Sequence, residues 1–192
     1  MIIDHDNKFV FVAVAKTACT SIHRSFGYNR DPSPSIYHMH LKDIIKTNPQ
    51  VKDYFKFGFV RNPYDRLVSA YYDFKNDKGH RSWASPIYQY ERFRDFVLDL
   101  NEGPCREFIH LHSQYDFLEH GGDIGVDFVG RFENLLEDFS RVVSHIGLNS
   151  RRLVHARNGH RQNSWELEYD EEMKEIVYDF YIKDFQHFGY SK

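Results

Sequence analysis

Four groups of residues in this chain are of types and spacings that could do chemistry. The first is Ala15-Lys-Thr-Ala-Cys-Thr-Ser21, a small-residue loop that follows an apolar run. A loop of small residues ahead of a helix leaves backbone N–H groups free to face an anion. Lys16 adds a mobile positive charge, and Thr17, Thr20 and Ser21 add hydroxyls. The pattern reads as a phosphate-binding loop, or as a plain strand-to-helix turn capped by Thr20 or Ser21. A Walker loop needs G-x-x-x-x-G-K-[ST], and residues 13–20 contain no glycine. A cysteine phosphatase loop does not fit either, because only four residues separate Cys19 from Arg24. Cys19 reads as a small packing residue.

The second group is Arg61 and Ser69. Arg61 follows the apolar run Phe55-Lys-Phe-Gly-Phe-Val60. In an open α/β sheet, ligands bind at the carboxyl ends of strands, so Arg61 is expected near the same crevice as Lys16. Arginine suits bidentate phosphate recognition. Ser69 lies eight residues on, roughly two helical turns. Arg61 could instead pair with a carboxylate, with Ser69 as helix filler and Arg66 at the surface.

The third group is His38 and His40, and the fourth is the basic stretch 151–161. In extended chain, residues i and i+2 point the same way. No third ligand of metal-binding type accompanies the pair, so no metal is expected. His110 and His112 form a second H-x-H ahead of Gln114. The stretch with Arg151, Arg152, His155, Arg157, Asn158, His160 and Arg161 is a local anion site in a chain of formal charge −3, or a solvated basic loop.

The elements that must position these groups follow from hydropathy pattern. Lys8–Val14, Phe55–Val60 and Val126–Gly130 are short apolar runs of the kind buried in parallel sheets. Helices are expected over residues 22–26, 41–45, 93–100, 133–146 and 171–188, and from Pro63 on, where Asn62 is the N-cap and Pro63 stands at N1. Residues 75–88 read as an exposed excursion. Residues 147–168 read as irregular. Strands alternating with helices give an α/β class.

Composition bounds the rest. The chain has 192 residues, which predicts a single domain over 1–192. Lys plus Arg is 25 against 28 Asp plus Glu, so no nucleic-acid partner is expected. Two cysteines exclude a disulfide framework. No apolar run is long enough to span a membrane and the start lacks the pattern of a secretory signal, so a cytoplasmic or otherwise soluble location is expected. The His count of twelve is the unusual feature.

Taken together, Val14-Ala-Lys-Thr-Ala-Cys-Thr-Ser21 and Phe57-Gly-Phe-Val-Arg-Asn-Pro-Tyr-Asp-Arg-Leu-Val-Ser-Ala-Tyr71 resemble the 5′-phosphosulfate loop and the 3′-phosphate motif of PAPS-dependent sulfotransferases. Asp127–Phe139 and Tyr181–Tyr190 resemble the Golgi-type carbohydrate branch, of chondroitin, HNK-1 and heparan 2-O type. The chain departs from many members at Cys19, where they have glycine. Neither their N-terminal anchor nor their longer acceptor-binding inserts is expected from these residues, and a small or shallowly bound acceptor is expected with them.

The resemblance implies a P-loop-like three-layer fold with a mostly parallel central sheet flanked by helices. It implies PAPS as donor, PAP as product, and an acceptor hydroxyl on a glycan or small sugar. Lys16, Thr17, Ala18, Cys19, Thr20 and Ser21 would hold the 5′-phosphosulfate, and Arg61 and Ser69 the 3′-phosphate. Asn158 and Arg161 would close over the nucleotide. The H-x-H of heparan 2-O members supplies a catalytic base, which implies His40 first and His38 second. His110, His112 and Gln114 would lie on the substrate side, with His110 and His112 as the rival base. Trp83, Trp165, Tyr88 and Tyr90 could stack on a sugar or pack their own loops. Two other functions fit the same residues: a P-loop phosphotransferase, and a non-catalytic binder of nucleotides or sulfated glycans.

Overall fold

Phe9–Val12 is buried at every position, which suits a strand covered on both faces. It is β2 of a four-stranded sheet in the computed structural model, which describes residues 1–28, 37–76, 85–154 and 164–192. The sheet order is β1 (Ile2–Asp4), β2, β3 (Phe55–Val60) and β6 (Phe128–Arg131). β2 with β3 and β3 with β6 are parallel, through Phe11↔Phe57 and Phe59↔Gly130 among others. β1 pairs antiparallel with β2 and was not expected. A separate antiparallel pair, β4 (Glu119–His120) and β5 (Asp123–Ile124), is also additional.

By contacts the chain forms two compact units. The first comprises Met1–Arg61 and Gln114–Arg157, and the second Asn62–Ser113 and Asn158–Lys192.

The first unit contains both sheets. Phe9, Phe11, Phe57 and Phe59 form a core with Ile22 and Phe26 and with Phe139, Val142 and Val143. Those partners come from α1 (Cys19–Ser25) and its C-terminal end, and from α6 (Leu135–His145). Leu118, at the end of α5 (Gln114–Leu118), meets the other face at Gly58, where a Cβ would stand 2.5 Å from its Cδ2. Helices on both faces make this unit three-layered, the expected α/β class. Gly130 serves a close approach too, since a Cβ there would lie 2.4 Å from the Phe59 ring. α2 (Leu41–Thr47) completes the unit's helices among the described residues.

The second unit is helical among the described residues. α3 (Pro63–Asn76) starts as the sequence predicts, with Asn62 Oδ1 accepting from the N–H of Tyr64 at 3.0 Å and of Asp65 at 3.4 Å. Its core joins Tyr64, Leu67, Tyr71 and Phe74 to α4 (Phe93–Leu98) and to α7 (Glu171–Phe180). Two expectations need correction here. Ile87 is fully buried in a 3₁₀ turn, so the end of the 75–88 stretch is not an exposed excursion. The last helix breaks at Tyr181 and resumes as α8 (Ile182–Phe188). Tyr181 is buried there, its hydroxyl donating to Leu111 O at 2.8 Å. Among the described residues no helix is long and apolar enough to cross a membrane.

Candidate active site

In the first unit, the loop after β2 takes a conformation that side chains seldom adopt. Lys16 (φ 68°) and Ala18 (φ 67°) both lie in the left-handed region. Alternating hand along a loop turns successive N–H groups towards one side and makes an anion-binding concavity. Burial alternates in step. Thr17 and Cys19 point inward, whereas Lys16, Ala18, Thr20 and Ser21 are half-buried. The inward side chains brace the turn. Thr17 Oγ1 donates to Val14 O at 2.8 Å, and Cys19 Sγ donates to the same carbonyl at 2.6 Å. Burial pushes the Cys19 thiol pKa up, which keeps it neutral. Cys19 is thus a bracing residue rather than a nucleophile.

Arg61 stands one residue past β3, 9% exposed. Its Nη1 donates to Lys16 O at 3.2 Å, and its guanidinium carbon lies 4.0 Å from the centre of the Phe132 ring. Arginine favours such stacking. Phe132 is carried by the end of β6, where Asp138 accepts from the Arg131 N–H at 2.8 Å. Sequence reasoning missed Phe132; its signal was an aromatic directly after a strand.

Gln114 was expected on the substrate side. It is fully buried, with both ends of its amide on Arg61. Arg61 N donates to Gln114 Oε1 at 2.8 Å, and Gln114 Nε2 donates to Arg61 O at 2.8 Å.

His38 and His40 both face Phe117, with ring centres 6.4 Å and 4.6 Å away. His38 is 6% exposed and its Nδ1 donates to Ala13 O at 2.7 Å. His40 is half-buried and precedes α2. Tyr37 stacks on His23, whose Nδ1 donates to Cys19 O at 2.8 Å, so the H-x-H segment is tied to α1.

Ser69, His110 and His112 belong to the second unit. Ser69 is half-buried on α3 of the second unit. His110, in that unit, is buried among Phe74 and Phe108. His112 Nε2 donates to Glu107 O at 3.3 Å. The carbonyl of His112 accepts from Arg66 Nη2 at 2.9 Å. Arg66 is buried, not at the surface, with its Nη2 3.9 Å from the Asp184 carboxylate. Trp165 stacks on Tyr64 at 5.4 Å, and the Tyr90 hydroxyl donates to Asp99, so both pack their own unit. Asn158, Arg161 and Trp83 lie outside the described residues. Of the basic stretch, Arg151 and Arg152 are exposed, with Arg152 Nη1 donating to Asn149 O at 2.6 Å.

A left-handed loop with a lysine, joined to an arginine at the next strand's end, is an arrangement for phosphate-like anions. The Sulfotransferase family profile matches residues 1–191. The chain belongs to the sulfotransferase family. It is therefore an enzyme of sulfuryl transfer and uses a sulfate donor. Carbohydrate sulfotransferase 11 of Mus musculus is 26% identical over 238 aligned positions, which cover the whole chain and 67% of that protein. Carbohydrate sulfotransferase 12 of Mus musculus is 26% identical over 176 positions, covering 74% of the chain and 42% of the relative. Carbohydrate sulfotransferase 9 of Homo sapiens is 25% identical over 234 positions, covering 98% of the chain and 52% of the relative. No solved structure gives a significant match.

Proposed function

We propose that this sulfotransferase moves a sulfuryl group from PAPS to a hydroxyl of a carbohydrate, by in-line displacement. The observation that carries the donor is the hydrogen bond from Arg61 Nη1 to Lys16 O at 3.2 Å. It joins two cationic residues from two strand ends, and PAPS has two separate anionic ends to neutralise. The carbohydrate acceptor rests on the three relatives, whose names all specify carbohydrate.

In this reading Lys16 neutralises charge that develops on the bridging oxygen and the leaving 5′-phosphate. Such transfer is mostly positioning and electrostatic stabilisation of spread charge. The N–H groups of residues 17–21 hold the 5′-phosphate, and the left-handed turns at Lys16 and Ala18 turn them to one side. Arg61 holds the 3′-phosphate. Ser69 is its expected helper from the sequence motif alone. Asn158 and Arg161 keep their proposed place over the nucleotide on the same ground.

His40 takes the proton from the acceptor hydroxyl. Imidazole titrates near neutral pH and suits general-base work. His40 is the more accessible of the pair, because His38 is buried with Nδ1 committed to Ala13 O.

The test is transfer of label from sulfur-labelled PAPS to a panel of glycans and simple sugars. Label in the carbohydrate fraction, lost in Lys16→Ala, is the expected result. Label reaching ordinary alcohols but no sugar overturns the acceptor class.

A further inference from the structure

We infer that Gln114 is a positioning residue for Arg61, and through Arg61 for the anion it holds. The inference rests on the reading of Arg61 as the 3′-phosphate ligand.

Arg61 lies just past the regular ladder. The parallel pairing of β3 with β6 ends at Val60↔Arg131. Beyond it come Asn62 and Pro63, and proline carries no N–H. The Gln114 amide takes over as a ladder partner. Its oxygen accepts from the Arg61 N–H at 2.8 Å, and its nitrogen donates to the Arg61 carbonyl at 2.8 Å. A primary amide has the donor and acceptor of a peptide group, so one side chain pairs both backbone groups of one residue. That fixes the backbone on both sides of the Arg61 Cα, and with it the direction of Cα–Cβ.

Direction matters because Arg61 is long. Its far end has to meet Lys16 O and the Phe132 ring together. Small errors at the base of a flexible side chain grow along it, and loosely held groups cost affinity for the bound form. A methionine would fill the same buried space but offers neither hydrogen bond. Burying an amide is unfavourable unless its polar ends are paired, and here both are paired on a single residue.

The place in the chain supports this role. The chain leaves the first unit after Arg61 and re-enters it at Gln114. The two bonds therefore pair the last residue of that unit's first segment with the first residue of its second.

The experiment measures PAP and AMP affinity by calorimetry in the full chain, for wild type, Gln114→Met, Arg61→Ala and the double variant. These nucleotides differ by the 3′-phosphate. In Gln114→Met, PAP should bind ~10-fold more weakly, the scale of one to two lost hydrogen bonds. AMP affinity should stay within ~2-fold. In the Arg61→Ala background, Gln114→Met should change PAP affinity by less than ~2-fold, since coupled residues are not additive. Gln114→Asn keeps the amide but is one methylene shorter, so it cannot reach both backbone groups of Arg61 at once and gives the same selective loss. It stands in if Gln114→Met does not fold. A purely structural role lowers PAP and AMP binding together, or keeps its full effect beside Arg61→Ala; either outcome overturns the inference. Equal PAP and AMP affinity in the wild type would overturn the 3′-phosphate reading itself, and the positioning role with it.

Discussion

Gln114 and Arg61 hold each other by two hydrogen bonds of 2.8 Å, although they stand 53 residues apart in sequence. Arg61 in turn reaches Lys16 O at 3.2 Å. A chain of contacts thus runs from a buried amide, through an arginine, to the loop after β2. Each step uses a group whose burial would be costly alone. The Arg61 guanidinium is held by the Lys16 carbonyl and the Phe132 ring.

Lys16→Ala is expected to lower kcat by ~10²-fold or more, the scale of removing one preorganised stabiliser of transition-state charge. PAP should still bind, since Arg61 remains. Steady-state rates with labelled PAPS check this, and undiminished turnover would remove Lys16 from the chemistry.

Arg61→Ala should weaken PAP binding by ~1.5–3 kcal/mol, the range for a hydrogen bond to a charged group, or ~10- to 150-fold. AMP should bind as before. The variant also loses the contacts to Lys16 O and Phe132, so its thermal unfolding should be measured alongside. A uniform loss for both nucleotides would argue for a structural arginine.

His40→Ala should lower kcat by ~10²-fold or more with little change in the KM for PAPS, as expected for a general base. His38→Ala removes a buried hydrogen bond to Ala13 O and should mainly cost stability. Comparing kcat with the unfolding midpoint for the two variants separates the roles. The reverse pattern would make His38 the base.

The protein should lose stability at alkaline pH. Burial pushes the Cys105 thiol up to about 12, with the Asp99 charge adding to it. Burial likewise pushes the Tyr64 and Tyr72 hydroxyls up to about 12, helped at Tyr72 by its bond to Glu168. These groups lose their protons in the unfolded chain first, near pH ~8.5 for thiol and ~10 for phenol. Above those values the unfolded state binds fewer protons than the folded one, so stability falls as pH rises towards the folded values. Urea midpoints should be level over roughly pH 7–8 and fall between roughly pH 9 and 11. A thiol reagent at pH 8 should label neither cysteine in the native protein and both in urea, since both are buried. Fast native labelling of Cys19 would contradict its bracing role.

Much of this was legible because it is local. Phe55–Val60 is a strand over the bounds its apolar run predicts, and Asn62 caps the next helix as its type and place require. β1 was not legible, because three residues form a strand only by pairing with β2. The break at Tyr181 is non-local too: helical periodicity continues through it, and the hydrogen bond to Leu111 sits 70 residues away. At the site, the two H-x-H patterns look alike in sequence. Their surroundings separate them, Phe117 beside one half-buried member of the first pair and Phe74 and Phe108 around buried His110. The pairing of Gln114 with Arg61 spans 53 residues, a relation no spacing rule contains.

The affinity of the unmodified protein for PAP against AMP, by calorimetric titration, tests the 3′-phosphate site most directly. A 3′-phosphate site at Arg61 predicts that PAP binds at least ~10-fold more tightly, the worth of one charge-assisted hydrogen bond. Equal affinity for the two nucleotides would contradict it.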